Sequence, residues 1–262
     1  MSRKALIWLI VAISLLVGGI VLCIVRWQAW FVNPVEPQWN SDTLSVTFTI
    51  PACMTTNGDV LVLGDTHSAL SREQWAHLDS MCPNITAYAS VGDLLERGNF
   101  YYVQKHLHEL EGTRFESLPM LACVGNHEYQ KGVRRTLPAI WQQTFRMPTN
   151  GPLDFQGSTY FVDFPAMRVI AINTTGLQSL RDYTRVYTWL KRTMQTRQQG
   201  QFSVVIMHHP VYSVAKGRYN VFINLFFRRL LNRADIVFCG HDHTYARHLP
   251  YIELVSVDRP HA

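Results

Sequence analysis

The sequence has no G-x-S-x-G nucleophile elbow and no phosphate-cradling Gly-Lys-Ser/Thr loop, which argues against a serine hydrolase or a P-loop nucleotidase. It has no internal repeat of fixed period and no low-complexity tract outside one N-terminal apolar run, so a solenoid is excluded. Charged residues are sparse: 16% of the 262, against 47% apolar and 12% aromatic, a balance foreign to disordered or collagen-like chains. Despite a net charge of +5, a concentrated basic patch is missing. The nearest approach to one, Arg228, Arg229 and Arg233, reads as a solvated helix face, so nucleic acid is not expected as a partner.

What the chain does have, first of all, is an uncharged run of 21 residues from Ala5 to Val25. As a helix it would be about 31 Å long, the thickness of a bilayer core. A cleaved signal peptide fits less well, because its apolar region is shorter and ends at a small-x-small site. Arg3 and Lys4 precede the run and only Arg26 follows closely. The positive-inside bias then predicts a single-pass anchor over 1–26, cytoplasmic N-terminus first, with the rest of the chain extracytoplasmic. Pro34 and Pro37 stiffen residues 27–44 into a linker, leaving 45–262 as one large domain. Of the cysteines beyond the anchor, Cys123 and Cys239 fall in strand-like runs and read as buried thiols. Cys53 and Cys82 stand beside prolines, and sequence leaves open whether they pair.

From residue 45 onward, β-branched runs alternate with amphipathic ones, the pattern of a layered α/β fold. Strands are expected at 45–50, 60–63, 87–91, 120–124, 159–164, 168–173, 202–207, 236–239 and 252–257. Helices are expected at about 71–81, where Ser71 and Gln74 form a capping box, and at about 99–110, 136–146, 184–197 and 220–232.

Five of these strands end in short clusters: Gly64-Asp65-Thr66-His67, Gly92-Asp93, Gly125-Asn126-His127-Glu128, His208-His209-Pro210 and Gly240-His241-Asp242-His243. Each alone is ordinary, since Gly-Asp after a strand is usually an Asx turn. Together they hold six of the chain's 11 histidines, an excess that is costly to pack unless something binds the ring nitrogens. Ligand sites in open α/β sheets form at the carboxyl ends of strands, so the five loops are expected to converge. Carboxylate, amide and imidazole donors suit Mn, Zn or Fe, and their number exceeds one ion's need. A carboxylate shared between two ions is the usual design, and Asp93, the only ligand type in its loop, is the natural bridge.

The ordered set D-x-H, GD, GNHE, HHP and GHDH resembles the calcineurin-like metallophosphoesterase superfamily across roughly residues 58–250. Ser158–Asp163, Tyr187–Leu190, His208–Ser213 and His241–Arg247 resemble its purple-acid-phosphatase-like branch. The resemblance implies two packed mixed β-sheets flanked by helices, a four-layer αββα sandwich. It implies that Asp65, His67 and His243 hold one divalent or trivalent ion, that Asn126, His208 and His241 hold another, and that Asp93 bridges them. His127 would contact the phosphate and protonate the leaving oxygen after attack by a metal-bridging hydroxide. Asn126 and Arg247 are further candidates for touching a small phosphate-ester substrate. Two departures stand out: His67 replaces a glycine and Glu96 a tyrosine ligand of the coloured enzymes, so an uncoloured centre is expected. The chain also ends 19 residues after His243, where relatives continue with more strand, so a short final sheet is expected. The alternatives are a phosphodiesterase acting on cyclic nucleotides or nucleic acid, or a truncated, catalytically weak binding relative. Oligomeric state has no sequence signal.

Overall fold

The computed structural model describes residues 47–55, 58–129 and 137–248. The strands are β1 (Phe48–Thr49), β2 (Asp59–Leu63), β3 (Ile85–Ser90), β4 (Met120–Ala122), β5 (Phe145–Arg146), β6 (Tyr160–Asp163), β7 (Met167–Ile172), β8 (Phe202–Met207) and β9 (Ile236–Cys239). The helices are α1 (Arg72–Met81), α2 (Phe100–Leu110), α3 (Ala139–Thr144), α4 (Leu180–Gln195) and α5 (Val221–Leu231). The anchor and linker expected over 1–44 and the strand expected at 252–257 lie outside the described residues. Among the described residues, no helix is long and apolar enough to cross a membrane.

Two sheets carry the architecture, one ordered β2-β3-β4 and the other β6-β7-β8-β9. Side-chain alternation explains why they stack. Val169 and Ala171 of β7 with Val204 and Ile206 of β8 join the first sheet in one apolar cluster, while Ile170, Ile172, Val205 and Met207 face α4 and α5 in another. On the far side of the first sheet, Tyr88 meets Trp75 of α1 and Phe115. The order helix, sheet, sheet, helix is thus the expected four layers. One correction applies to the expectation of two mixed sheets. The second is mixed, with β6 antiparallel to β7, but the first is wholly parallel among the described residues.

Boundaries moved where local chemistry was less obvious. The helix expected over 136–146 ends at Thr144, because Phe145 leaves it to stack on Phe48 at 5.4 Å and to pair β5 with β1. Helix α4 starts at Leu180 rather than 184. Its capping box is Ser179 with Asp182, a shorter acid than the Glu or Gln such boxes usually carry. Cys123 is buried as expected; among the described residues Cys239 is exposed on β9, the last strand of its sheet there, and Cys53 and Cys82 are free thiols.

Candidate metal centre

The five loops do converge. Asp65 and His67 follow β2, Asp93 follows β3, Asn126 and His127 follow β4, His208 follows β8, and His241 and His243 follow β9. Parallel strands put all these carboxyl ends on one edge of the sandwich. The turns are tight enough to leave extended geometry. Asp65, His67, Asp93, His241 and His243 are five of the seven non-glycine residues with positive φ among the described residues. Such conformations cost on the order of 1–3 kcal/mol each and cluster where function demands them. Close approach also fixes two glycines: a Cβ on Gly125 would lie 2.2 Å from Asp93 Oδ1, and one on Gly240 2.5 Å from Asp65 Oδ2.

Two groups of donors share Asp93. Oxygen and nitrogen atoms of Asp65, His67, Asp93 and His243 lie within 4.8 Å of one another. On the other side His208 Nε2 is 3.2 Å from Asp93 Oδ2, 3.0 Å from Asn126 Oδ1 and 3.2 Å from His241 Nδ1. These are the residues singled out in the sequence, and the structure brings them together. His209 also lies beside His208 and His241, and its Nδ1 is 2.9 Å from the Thr174 hydroxyl. A third cluster joins His67 and His127 to Glu96.

The donor chemistry fits cations. His67 Nε2 is buried with no hydrogen-bond partner, and the facing ring nitrogens of His208 and His241 repel unless a proton or cation lies between them. Oxygen and imidazole donors of this kind suit Mn, Zn or Fe rather than thiolate-seeking metals.

Electrostatics follow the same layout. Burial pushes the Asp93 carboxyl up, but the His208 hydrogen bond and charge, with the His127 backbone N–H, outweigh it and hold the group at about 2. Burial, aided by the positive fields of His208 and Arg218, pulls His241 down to about 4. Both shifts favour ligand forms: an ionised carboxylate and a neutral imidazole.

His127 sits beside this cluster with its side chain one-third exposed. Its backbone N–H donates to Asp93 Oδ1 at 2.8 Å. Its Nδ1 is 2.8 Å from the Glu96 carbonyl oxygen and so carries the proton, leaving Nε2 as the free ring nitrogen.

Three residues escaped the sequence reading. Glu128, fully buried, accepts from the backbone N–H groups of Asp93, Leu95 and Gly125 at 3.0, 2.9 and 2.7 Å, tying two ligand loops together. Its burial and the nearby Asp93 charge raise its carboxyl to about 7. Arg218 donates to the His241 carbonyl, and Asp242 accepts from Ser213 Oγ and Val214 N at 2.9 and 2.8 Å. The GNHE run hinted at Glu128; nothing local pointed to Arg218. Arg247, by contrast, is exposed and makes no contact with the cluster among the described residues.

A layered α/β sandwich with paired donor groups at its strand ends, joined through one carboxylate, defines a class of metal-dependent hydrolase. The calcineurin-like phosphoesterase model matches residues 58–245, so the chain belongs to that family. It is 29% identical over 168 residues to purple acid phosphatase 21 of Arabidopsis thaliana, a match covering 58% of this chain. It spans 38% of the length of that relative. The solved structure of purple acid phosphatase PPD1 from yellow lupin seeds superposes with a TM-score of 0.51 at 17% identity, covering 70% of this chain and 37% of that one. That likeness speaks for the fold. Membership of the family implies a dinuclear metal centre.

Proposed function

We propose that the protein hydrolyses a small phosphate ester at a dinuclear metal centre, from a domain tethered to a membrane by its N-terminal run. The observation that carries the reading is the sharing of Asp93 between two donor groups. Asp65, His67 and His243 would hold one ion and Asn126, His208 and His241 the other, with Asp93 between. When bound, ions of this type supply Lewis acidity toward water and toward phosphoryl oxygens.

The protein's own part is positioning and proton transfer. With Nδ1 held by the Glu96 carbonyl, His127 presents Nε2–H, when protonated, to the ester oxygen that leaves. Its backbone N–H on Asp93 fixes the distance between that acid and the donor groups. With Asn126 Oδ1 3.0 Å from His208 Nε2, its amide nitrogen would serve a phosphoryl oxygen. No covalent intermediate is required. Arg247 is given no role.

Membrane attachment and an extracytoplasmic domain rest on the Ala5–Val25 run and on Arg3 and Lys4 before it. The reading is tested by hydrolysis of p-nitrophenyl phosphate and its bis ester by the full chain in detergent, with Mn²⁺, Zn²⁺ or Fe²⁺ and with chelator. Chelator-sensitive turnover is expected, and the preferred ester separates monoesterase from diesterase. A folded chain inert with every metal would refute it.

A further inference from the structure

The two outer helical layers differ in charge. α4 carries Arg181, Arg185, Lys191 and Arg192 against one acid, Asp182, and that acid is spent capping Ser179; α5 carries Arg228 and Arg229 against none. On the opposite layer, α1 and α2 together hold two basic side chains, Arg72 and Lys105, and three acidic ones, Glu73, Asp79 and Glu109. Of the two helical layers, the one made by α4 and α5 therefore carries the excess of basic side chains, a clustering that the sequence, read residue by residue, did not show.

That same face is greasy where a soluble helix should be polar. α5 buries Ile223, Phe227, Leu230 and Leu231 against the second sheet, which accounts for its core-facing side. On its outer side Val221, Phe222 and Leu225 are 61%, 52% and 71% exposed. Tyr183 of α4 contacts Phe222 at 5.8 Å, so the first turns of the two helices adjoin, and Leu180 there is 64% exposed. Beside this patch runs an open groove of about 640 Å³ on α4, lined by Arg181, Arg185, Arg192 and Trp189 among others. Among the described residues, Arg181, Arg192, Arg228 and Arg229 make no ion pair. Exposed apolar side chains flanked by unpaired cations on one helix face are the composition of an interfacial helix on an anionic bilayer.

We infer that the α4–α5 layer lies against the membrane, with Val221, Phe222 and Leu225 entering the interface and the flanking arginines meeting anionic phospholipid headgroups. The inference rests on the tethered reading above, since a tether makes docking a local event at high effective concentration. A second copy of the chain is a poorer occupant. A twofold interface through this face would set its cations against themselves.

The test uses the full chain reconstituted into vesicles with about one anionic lipid in three. Leu225 is replaced by the photoreactive residue p-benzoylphenylalanine, and in a second protein Met81, 64% exposed on α1, is replaced likewise. After irradiation with radiolabelled phosphatidylglycerol present, position 225 is expected to take up at least about fivefold more lipid than position 81. R228E/R229E in the 225 protein is expected to remove most of that excess and to leave p-nitrophenyl phosphate hydrolysis unchanged. Equal lipid uptake at both positions, or adducts of 225 to another copy or to the chain itself, would overturn the docking surface. Flotation with the vesicles is scored separately: a chain that does not float refutes the tether, whereas a chain that floats without lipid adducts at 225 refutes the docking alone.

Discussion

His67 Nδ1 lies 3.2 Å from Glu96 Oε2, so residues from the loops after β2 and β3 meet beside the first donor group. A carboxylate beside Nδ1 restrains a ring that also lies among Asp65, Asp93 and His243, much as outer carboxylates restrain histidine ligands. Glu96→Ala is therefore expected to weaken metal binding by roughly tenfold, read by competition with a chelator, while far-UV circular dichroism stays unchanged. Wild-type affinity in that variant would leave Glu96 without a positioning role.

Glu128 should matter more to folding than its neighbours in the GNHE run. Replacing it by alanine strands three buried backbone N–H groups, for a loss of at least about 3 kcal/mol in chemical denaturation. Metal content should fall in the same variant, because the Asp93 and Asn126 loops lose their common tie. A stability loss with full metal occupancy would show that the loops hold their places without it.

His106 gives an acid sensitivity remote from the centre. It is fully buried, its ring 6.0 Å from those of Phe48 and Trp75, and burial pulls it down to about 4. The unfolded chain takes up this proton near pH 6.5 and the folded one does not. The associated stability is whole above pH 6.5 and is lost as pH falls from there toward 4, about 2 kcal/mol between pH 7 and 5. His106→Leu should flatten that part of the stability profile by one proton relative to wild type. An unchanged slope would contradict the burial of a neutral ring.

The convergence of the loops was readable in the sequence because its residue types are costly without a purpose: His208-His209 and His241-Asp242-His243 have few bland explanations. The sandwich was readable for the same kind of reason, since alternation in β7 and β8 divides their side chains between two cores. What escaped depends on contacts across the fold. Arg218 reaches His241 from 23 positions away, and nothing in its own neighbourhood marks it. Glu128 looks like a lone acid until the β3 loop is placed over it. Phe145 reads as helical until Phe48, nearly a hundred residues earlier, offers a stacking partner. Arg247 stands close to His243 in sequence and is exposed, so its part toward a substrate is not read from the fold.

The most direct test of the account is metal stoichiometry by elemental analysis on wild type, Asp93→Asn and His127→Ala, with turnover measured on the same samples. The account predicts about two ions per wild-type chain, loss of metal and of turnover in Asp93→Asn, and retention of metal with slowed hydrolysis in His127→Ala, most for poor leaving groups. Loss of metal from His127→Ala, or full activity in Asp93→Asn, would contradict it.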